Sequence, residues 1–378
     1  MDKYTLVSAV LEAPKMKEFL DRAVNNSGYK EKGRKITAYV LMQYFLLAAV
    51  MQVDSYRELS QLGQKFRIPN ADYSTLSKKA GEVPYTLALQ VCQSVLDSSC
   101  RAKRRKLKKE SEMLLKAVDS TRITACAGKW TWAPYLRESS GLKFHVAYLP
   151  ELGLPAQIEV SPINVGDTAH LTSFQDKTTV LVCDRGYMNI EKFLSLDKAG
   201  QKFVIRLRNT VRFQKERATG IDCLDAYTDH FCTLSKHREV PKEAREREYR
   251  VIKFFGANGE DVILCTNIRD ISADTIAGMY KDRWNIECFF RTLKQNFTIK
   301  RLFGTTANAA YTQGLVAFIA YVLLYNVHER IQFACKKKAS KAVAQDYQVF
   351  SHFLRTLRLD CLSNFPIKLS SVRNSLLP

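Results

Sequence analysis

The sequence has no closely spaced pair of cysteines. Its ten cysteines are scattered along 378 residues, without a CxxC motif and without clustering beside the six histidines. Because zinc ligands come in such short-range pairs, the spacing argues against a structural zinc site. Several cysteines lie in apolar stretches such as VLVC and VILC, which is typical of reduced, buried thiols in a cytosolic protein.

Long apolar segments are missing as well. The most apolar run, Leu315 to Tyr325, covers about 11 residues, whereas a membrane span needs about 20. We therefore expect a buried helix there and no membrane partner. The N-terminal residues lack the apolar core of a signal peptide, so the sequence predicts a cytoplasmic protein.

Acidic residues are much fewer than basic residues in this sequence. The chain carries 58 Lys and Arg against 38 Asp and Glu, which gives a formal net charge of +20. This balance favours a polyanionic partner, such as nucleic acid or an anionic membrane surface. A basic protein with no such partner is the simpler alternative.

Residues 1–110 have the pattern of a helical domain. The segment Thr37–Val53 is apolar nearly all round, which predicts the central helix of a small bundle. The run RAKRRKLKK at 101–109 is almost entirely basic. It separates segments of different composition, so we place a domain boundary near residue 110; the same run would also suit a phosphate backbone.

Two short helices are predicted within this domain, on either side of a break at Pro69. Asp72 is the expected N-cap of the second helix. The pair resembles a helix-turn-helix, in which the second helix contacts DNA, here through Lys78 and Lys79. An ordinary pair of packed helices is the alternative.

Strand patterns replace the helical pattern after the basic run. The segments LLKAVD, LKFHVAYL, TTVLVCD and KFVIRLR read as strands, and a short helix with a glycine stop separates the last two. LPAQIEVSP follows LKFHVAYL after a Pro/Gly turn, which suggests a hairpin, and EYRVIKFF and VILCTNI on either side of GANGED predict a second one. This order predicts a mixed α/β sheet. TTVLVCD is a continuous apolar run, which indicates a central strand buried on both faces.

Two of these strands end in an acid, Asp119 and Asp184. If the strands are neighbours, both carboxylates lie at one edge of the sheet, where open α/β sheets bind ligands. Adjacent carboxylates repel unless a cation lies between them, and oxygen ligands suit Mg²⁺ or Mn²⁺. The alternative is that each Asp caps the turn that follows its strand.

The segment Tyr280–Phe297 is predicted to be one amphipathic helix. Glu287 lies among cations on one stripe of it, at the border with an apolar face. The stripe consists of Tyr280, Arg283, Glu287, Arg291 and Lys294. Glu287 is i,i+4 to two arginines, and such pairs contribute about 0.2–0.5 kcal/mol each. Alternatively, Glu287 is a third acidic metal ligand and the cations hold phosphates beside the metal.

The spacing of this stripe resembles a known signature. Tyr280-x2-Arg283-x3-Glu287-x6-Lys294 matches, at every offset, the YREK signature of a group of bacterial insertion-sequence transposases. The contexts VDSTRI and VCDRGY resemble those of the group's two catalytic aspartates, and the likeness extends from about residue 112 to 330. Pieces of the N-terminal region resemble the group more weakly.

The resemblance implies a ribonuclease-H-like catalytic domain over 111–335, interrupted by a β-rich insertion at 209–272, with a C-terminal tail at 336–378. In such an enzyme Asp119, Asp184 and Glu287 would hold two divalent ions, Mg²⁺ or Mn²⁺. The activity implied is cleavage of double-stranded DNA at the element ends, followed by strand transfer to target DNA.

The resemblance also implies DNA contacts for Tyr280, Arg283 and Lys294, and Arg291 lies on the same stripe. Trp284 and Tyr187 are candidates, by residue type alone, to stack on a flipped base. Because two ends must be paired, a homodimer on DNA is expected, associated with the nucleoid. The alternatives are a nuclease without strand transfer and a domesticated DNA-binding protein that lost catalysis; three intact acids argue against the latter.

Overall fold

The computed structural model describes residue 7 and residues 10–107, 114–125, 130–136, 139–219, 226–234, 242–256, 258–334 and 343–362. Within residues 14–107, five helices precede the first strand. They are α1 (Pro14–Ser27), α2 (Ala38–Met51), α3 (Tyr56–Lys65), α4 (Tyr73–Glu82) and α5 (Tyr85–Leu107). Residues 101–107 of the basic run continue α5 instead of forming a linker, and the predicted boundary near residue 110 lies outside the described residues.

Helix α2 is the central helix of this region, as its apolar sequence predicts. Thr37 caps it by accepting a hydrogen bond from the backbone N–H of Val40, and twelve of its residues are buried. Helix α3 packs closely on it at Gly63, where a Cβ would collide with the ring of Tyr44. Only glycine permits this approach.

Helices α3 and α4 form the expected pair. Asp72 is confirmed as the N-cap of α4, since its side chain accepts from the N–H of Thr75. The connection, residues 66–72, is longer than the roughly three to four residues of a typical helix-turn-helix.

A ten-stranded mixed sheet forms the centre of the described chain. The strands are β1 (Leu114–Ala125), β2 (Tyr135–Leu136), β3 (Ser139–Leu149), β4 (Leu154–Pro162), β5 (Thr179–Cys183), β6 (Lys202–Arg206), β7 (Phe213–Ala218), β8 (Ala226–Leu234), β9 (Glu248–Phe255) and β10 (Asp261–Thr266). The order is β2-β3-β1-β5-β6-β10-β9-β8-β7, and β4 also pairs with β3. β1, β5 and β6 run parallel, and the remaining pairings are antiparallel.

The strand predictions hold in their main points. All five residues of β5 are buried, and β1 and β6 flank it, so it is a central strand. The β3–β4 and β9–β10 hairpins both form. The segment 209–272 carries β7 to β10, and these strands extend the central sheet instead of building a sheet of their own.

Helices cover both faces of this sheet. They are α6 (Ile190–Lys198), α7 (Lys242–Glu246), α8 (Ala273–Asp282), α9 (Trp284–Asn296), α10 (Ala307–Ala334) and α11 (Val343–Leu362). Val180 and Val182 of β5 pack in the cluster that contains α8. The alternating Leu181 and Cys183 pack in the cluster that contains α6. This explains why β5 is apolar at every position.

Helix α10 is the expected buried helix. It is long and apolar enough to cross a membrane over Ala307–Gln332, but 89% of its most apolar window is buried inside the protein. It belongs to one hydrophobic cluster that also contains residues of α2, α5, β3 and α9. The N-terminal helices therefore pack on the same core as the sheet.

The predicted single helix from Tyr280 to Phe297 is wrong in one respect. It consists of two helices, α8 and α9, that meet at Arg283. The N–H of Arg283 bonds to the carbonyl of Tyr280, and the N–H of Ile286 bonds to the carbonyl of Arg283. These i→i+3 bonds replace the regular i→i+4 pattern, so Tyr280 lies on α8 and Glu287 on the first turn of α9.

Candidate active site

Asp119 and Asp184 lie side by side at one edge of the sheet. The last parallel pair between β1 and β5 joins Val118 to Cys183. Asp119 is the next residue of β1, and Asp184 directly follows β5. Two acids that are 65 positions apart in the sequence, from 119 to 184, thus lie side by side where β5 ends. The expectation that the first strand also ends at its acid is wrong, since β1 continues from Asp119 to Ala125 and pairs there with β3. The topology required by the sequence-based hypothesis is therefore present.

The carboxylate of Asp119 is held in a poorly solvated position. Its side chain is 21% exposed, and one oxygen accepts the N–H of Ser120 at 2.7 Å. Burial raises the pKa of Asp119 to about 7, against the lowering effects of Arg283 and the Ser120 N–H, and the charges of Asp184 and Glu287 raise it further. A carboxyl group with such a pKa needs a cation to stay ionised at neutral pH.

Asp184 also caps the turn that follows β5. Its Oδ1 accepts the N–H of Gly186 at 2.8 Å, at the start of a 3₁₀ turn over Arg185–Tyr187. The capping alternative is therefore true of Asp184. It leaves the second carboxylate oxygen, Oδ2, without a hydrogen bond from this turn.

Arg283 joins the third acid to the first. Its Nη2 donates to Glu287 Oε1 at 2.7 Å, and its Nη1 lies 3.6 Å from Asp119 Oδ2. The i,i+4 ion pair considered from the sequence therefore exists, but the same guanidinium also reaches the sheet. Its Nε is buried without a hydrogen-bond partner among the described residues. Two of the three acids thus contact one arginine at the junction of α8 and α9, and the third, Asp184, lies beside Asp119 in the strand register.

The three carboxylates fit a hard divalent ion by the chemistry of their donors. All are oxygen ligands, which Mg²⁺ and Mn²⁺ prefer. In the described part of the chain, no three His, Cys, Asp or Glu side chains are positioned to enclose an ion. Arg283 occupies the space between Asp119 and Glu287 and supplies the positive charge there.

The other members of the stripe differ in exposure. Tyr280 is buried in the core cluster of α8, and the Arg283 guanidinium lies 5.5 Å from its ring centroid. Arg291 is exposed. Lys294 is half-buried, and burial lowers its pKa while Asp119 acts in the opposite direction. Lys294 therefore interacts electrostatically with Asp119, the acid that Arg283 also contacts.

The two aromatic residues considered for stacking on a base differ in their exposure to solvent. Trp284 begins α9 beside Arg283 and is 53% exposed. Tyr187 is buried, and its hydroxyl has no hydrogen-bond partner among the described residues. The structure thus leaves Trp284 available for stacking and places Tyr187 in the core.

Lys78 and Lys79 also have different environments. Lys78 is exposed on α4. Lys79 is buried, forms an ion pair with Glu31 and donates to the Tyr29 hydroxyl at 3.1 Å. Its ammonium is not at the surface, so the expectation that Lys79 contacts DNA is corrected: α4 turns this residue toward the packed loop before α2.

A polar network beside Asp119 was missed by the sequence reasoning. Asp167 Oδ1 accepts from Ser120 Oγ at 2.8 Å and from the buried Lys143 Nζ at 3.0 Å. The buried ring of His145 stacks on His170, with centroids 3.8 Å apart. The available signal was the alternation of Lys143 and His145 with apolar residues in LKFHVAYL, which places two polar side chains on one buried face of β3.

Helix α11 packs against α9 and forms hydrogen bonds near both ends of it, a set of contacts that we call the brace. The Tyr347 hydroxyl donates to the Asn285 carbonyl at 3.2 Å, near the start of α9. At the other end, Asn296 Nδ2 donates to Ser351 Oγ at 3.2 Å, and Arg358 donates to the Asn296 carbonyl and, at 2.8 Å, to that of Val50. The described part of the predicted tail thus fixes the helix that carries Glu287.

Comparison with known proteins identifies a family and relatives. The family described as Transposase DDE domain matches residues 110–323. The chain is 37% identical, over 86% of its length and 85% of the relative's, to the probable transposase for insertion sequence element IS5377 of Geobacillus stearothermophilus. It is 29% identical to the putative transposase y4zB of Sinorhizobium fredii (strain NBRC 101917 / NGR234), over 58% of this chain and 62% of the relative.

One solved structure is also similar. It is the piggyBac transposase synaptic complex with hairpin DNA, which aligns with 100% of this chain and 85% of that chain. The identity is 10% and the TM-score is 0.40, which is too low to support an argument about this protein.

Proposed function

This chain belongs to the transposase DDE domain family and is a DNA transposase of the insertion-sequence type; on that premise we propose that Asp119, Asp184 and Glu287 are its catalytic acids. The observation that supports this most is the sharing of Arg283 between Asp119 and Glu287, with Asp184 beside Asp119 in the strand register. No packing requirement explains why three acids should converge there.

We propose that these acids hold two divalent ions, Mg²⁺ or Mn²⁺, as the general use of divalent metals in the family supports. When bound, such ions activate the attacking oxygen and stabilise the leaving 3′ oxygen of a phosphodiester. The protein's own contribution is positioning: β1 and β5 fix two carboxylates, and the first turn of α9 fixes the third. Like other phosphoryl transfers, this reaction depends on placement and charge neutralisation.

Arg283 is proposed to have two roles in turn. In the DNA-free protein it neutralises the repulsion among the acids, through the contacts at 2.7 Å and 3.6 Å. With divalent ions held by the acids, the guanidinium would be free to donate to a phosphate near the cleaved bond. Its Nε has no hydrogen-bond partner among the described residues and would gain one if the side chain turned toward a phosphate.

The remaining site residues are assigned by their exposure. Arg291 and Lys294 extend the positive surface beyond Arg283 and would hold the DNA backbone, while the exposed Trp284 would stack on a base near the end. Tyr280 lies under the Arg283 guanidinium, so we propose that it acts by orienting this arginine. Lys78 is the remaining candidate on α4.

We propose the following organisation for the full chain. Residues 1–110 bind the element end, residues 111–335 form a ribonuclease-H-like catalytic domain with a β-rich insertion at 209–272, and residues 336–378 are a C-terminal segment that includes the α11 brace. The protein would act as a homodimer that pairs two ends, in the cytoplasm at the nucleoid. The mixed sheet is consistent with this fold.

A cleavage assay tests the proposed function. The purified chain is incubated with Mg²⁺, target DNA and a labelled duplex that carries the DNA flanking its coding region. Joined products are expected for a transposase, and cleavage without joining would instead indicate a nuclease. Binding without cleavage, unchanged when Asp119, Asp184 or Glu287 is replaced by Ala, would contradict an enzymatic function.

A further inference from the structure

The loop between α1 and α2, residues 28–37, presents four cations to solvent. We refer to it as the basic loop. Lys30, Lys32, Arg34 and Lys35 are all exposed, and none of them forms an ion pair with a carboxylate among the described residues. Four unpaired cations within six positions repel one another, so their retention on one surface calls for an anionic partner.

The single acid of the basic loop is used internally. Glu31 accepts the N–H of Gly33 at 3.0 Å and the N–H of Ala38 at 2.7 Å, and it forms an ion pair with the buried Lys79 of α4. These contacts lower the pKa of Glu31 against the effect of burial. The acid therefore neutralises Lys79, not the loop cations.

The basic loop has a defined conformation. A Cβ at Gly33 would collide with the carbonyl oxygen of Ile36, so the turn is too tight for any other residue. Lys79 also donates to the hydroxyl of Tyr29, the residue just before the cations. A flexible linker would need neither of these contacts.

The ion pair also fixes where the loop lies. Because Glu31 and Tyr29 both contact Lys79, the basic loop packs against α4, beside the exposed Lys78. Lys78, the preceding residue of the helix, is exposed about 100° around the helix axis from Lys79, whereas the exposed Ser74 and Ser77 lie on the side of α4 that faces away from Lys79. The loop cations are therefore held on α4 by a buried contact of their own loop.

We propose that the basic loop, fixed on α4 by the Glu31–Lys79 ion pair that we call the clamp, binds the phosphate backbone of duplex DNA. This inference rests on the proposed function and names a DNA-binding element within it. Lys79 contributes to DNA binding indirectly, because it fixes the loop that carries the four exposed cations. A loop that is ordered before binding loses less conformational entropy when DNA arrives.

The first test neutralises the loop. Lys30→Gln, Lys32→Gln, Arg34→Gln and Lys35→Gln are combined, and binding to a fluorescently labelled duplex is measured as a function of salt. Four lost phosphate contacts predict a salt slope smaller by about 3 to 4 and affinity weaker by on the order of 100-fold. The matched control is Lys177→Gln, an exposed cation before the amino end of β5, opposite the acids.

The second test separates the clamp from simple charge. Glu31→Gln raises the net charge by one but removes the ion pair, while its amide oxygen can still accept the two backbone N–H groups. A flexible basic loop would bind DNA more tightly after this change, whereas the clamp predicts binding weaker by about fivefold. If Glu31→Gln does not fold, Tyr29→Phe removes the hydrogen bond from Lys79 to the Tyr29 hydroxyl without changing the net charge, and the clamp again predicts weaker binding.

The outcomes distinguish this inference from the proposed function. If the wild-type chain cleaves element ends but the four-Gln variant keeps its affinity and salt slope, the basic loop is not a DNA contact, although the transposase function stands. If the variant loses binding to anionic phospholipid vesicles but not to duplex DNA, the surface binds a membrane and the inference is wrong. Without cleavage by the wild type, the proposed function itself fails.

Discussion

Two arginine–carboxylate groups, one within the sheet and one between the sheet and the α8–α9 junction, differ in how many of their hydrogen-bond donors have partners. Arg250 on β9 binds both oxygens of Asp229 on β8, at 2.9 Å and 2.7 Å, and donates to the carbonyl of Ile271 at 2.6 Å. Their side chains are 0% and 4% exposed. Arg283 makes one close contact, one distant contact and no bond through its Nε.

The difference indicates what each group is for. A buried, bidentate pair in which all three guanidinium nitrogens donate is a structural contact that holds β8 and β9 together. The group around Arg283 is under-satisfied and partly accessible, with side-chain exposures of 12% for Arg283 and 31% for Glu287. Unsatisfied polar groups at the end of a central strand are costly, and they are retained where a ligand completes them.

The largest expected effect comes from the acids around Arg283. Asp119→Asn should lower cleavage of element ends by on the order of 10³-fold or more, because an amide is a poor ligand for a divalent ion. The thermal midpoint should stay the same or rise, since a carboxylate that resists ionisation is removed. Cleavage assays and thermal denaturation measure the two effects, and near-normal cleavage would contradict the assignment.

Substitutions in the Arg250–Asp229 pair should lower the stability of the protein much more than substitutions around Arg283 do. Arg250→Met leaves the carboxylate of Asp229 buried without a cation, with the Thr219 hydroxyl still donating to it, and should reduce the free energy of unfolding by about 3–5 kcal/mol. The matched Arg283→Met should reduce it by about 1 kcal/mol or less near pH 6, because Asp119 can take up a proton instead. Chemical denaturation measures both, and equal losses would remove the distinction between the groups.

The metal-free protein should lose stability as the pH rises from about 4 to about 7. Asp119 has a pKa of about 7 in the folded state and an ordinary value near 4 when unfolded. The folded state therefore binds more protons in this window, and stability falls by about 4 kcal/mol at most. In Asp119→Asn this part of the pH dependence should disappear in denaturation experiments; an unchanged profile would mean that another group titrates.

The smallest effect concerns the brace on α9. Arg358→Gln removes the guanidinium contacts to the carbonyls of Val50 and Asn296, so Glu287 should be held less firmly. We expect the rate of cleavage to fall by about three- to tenfold with little change in DNA affinity. Arg355→Gln, an exposed residue on the same helix, is the control and should match the wild type.

The sequence was informative where a pattern is local. An apolar run followed by an acid located Asp119 and Asp184, because burial follows from neighbouring residues; the strand end was predicted correctly at Asp184 only, since β1 continues past Asp119 to Ala125. The hairpins β3–β4 and β9–β10 and the cap at Asp72 were predictable for the same reason.

The remaining features depend on contacts between distant positions. Lys79 faces Glu31, 48 positions earlier in the chain, and helical periodicity does not reveal which face a loop will cover. The junction at Arg283 was missed because the sequence is helical on both sides of it. The pairing of Arg250 with Asp229 requires the register of β8 and β9, which is set by tertiary packing.

The most direct measurement is binding of Mn²⁺ to the complex of the protein with an element-end duplex, followed by electron paramagnetic resonance of the free ion. The proposed site predicts two bound ions in the wild type, loss of binding in Asp119→Asn and Glu287→Gln, and normal binding in Asp176→Asn, an acid paired with Arg104 and Lys116 outside the site. Equal binding by all four proteins would contradict a metal site built from these carboxylates.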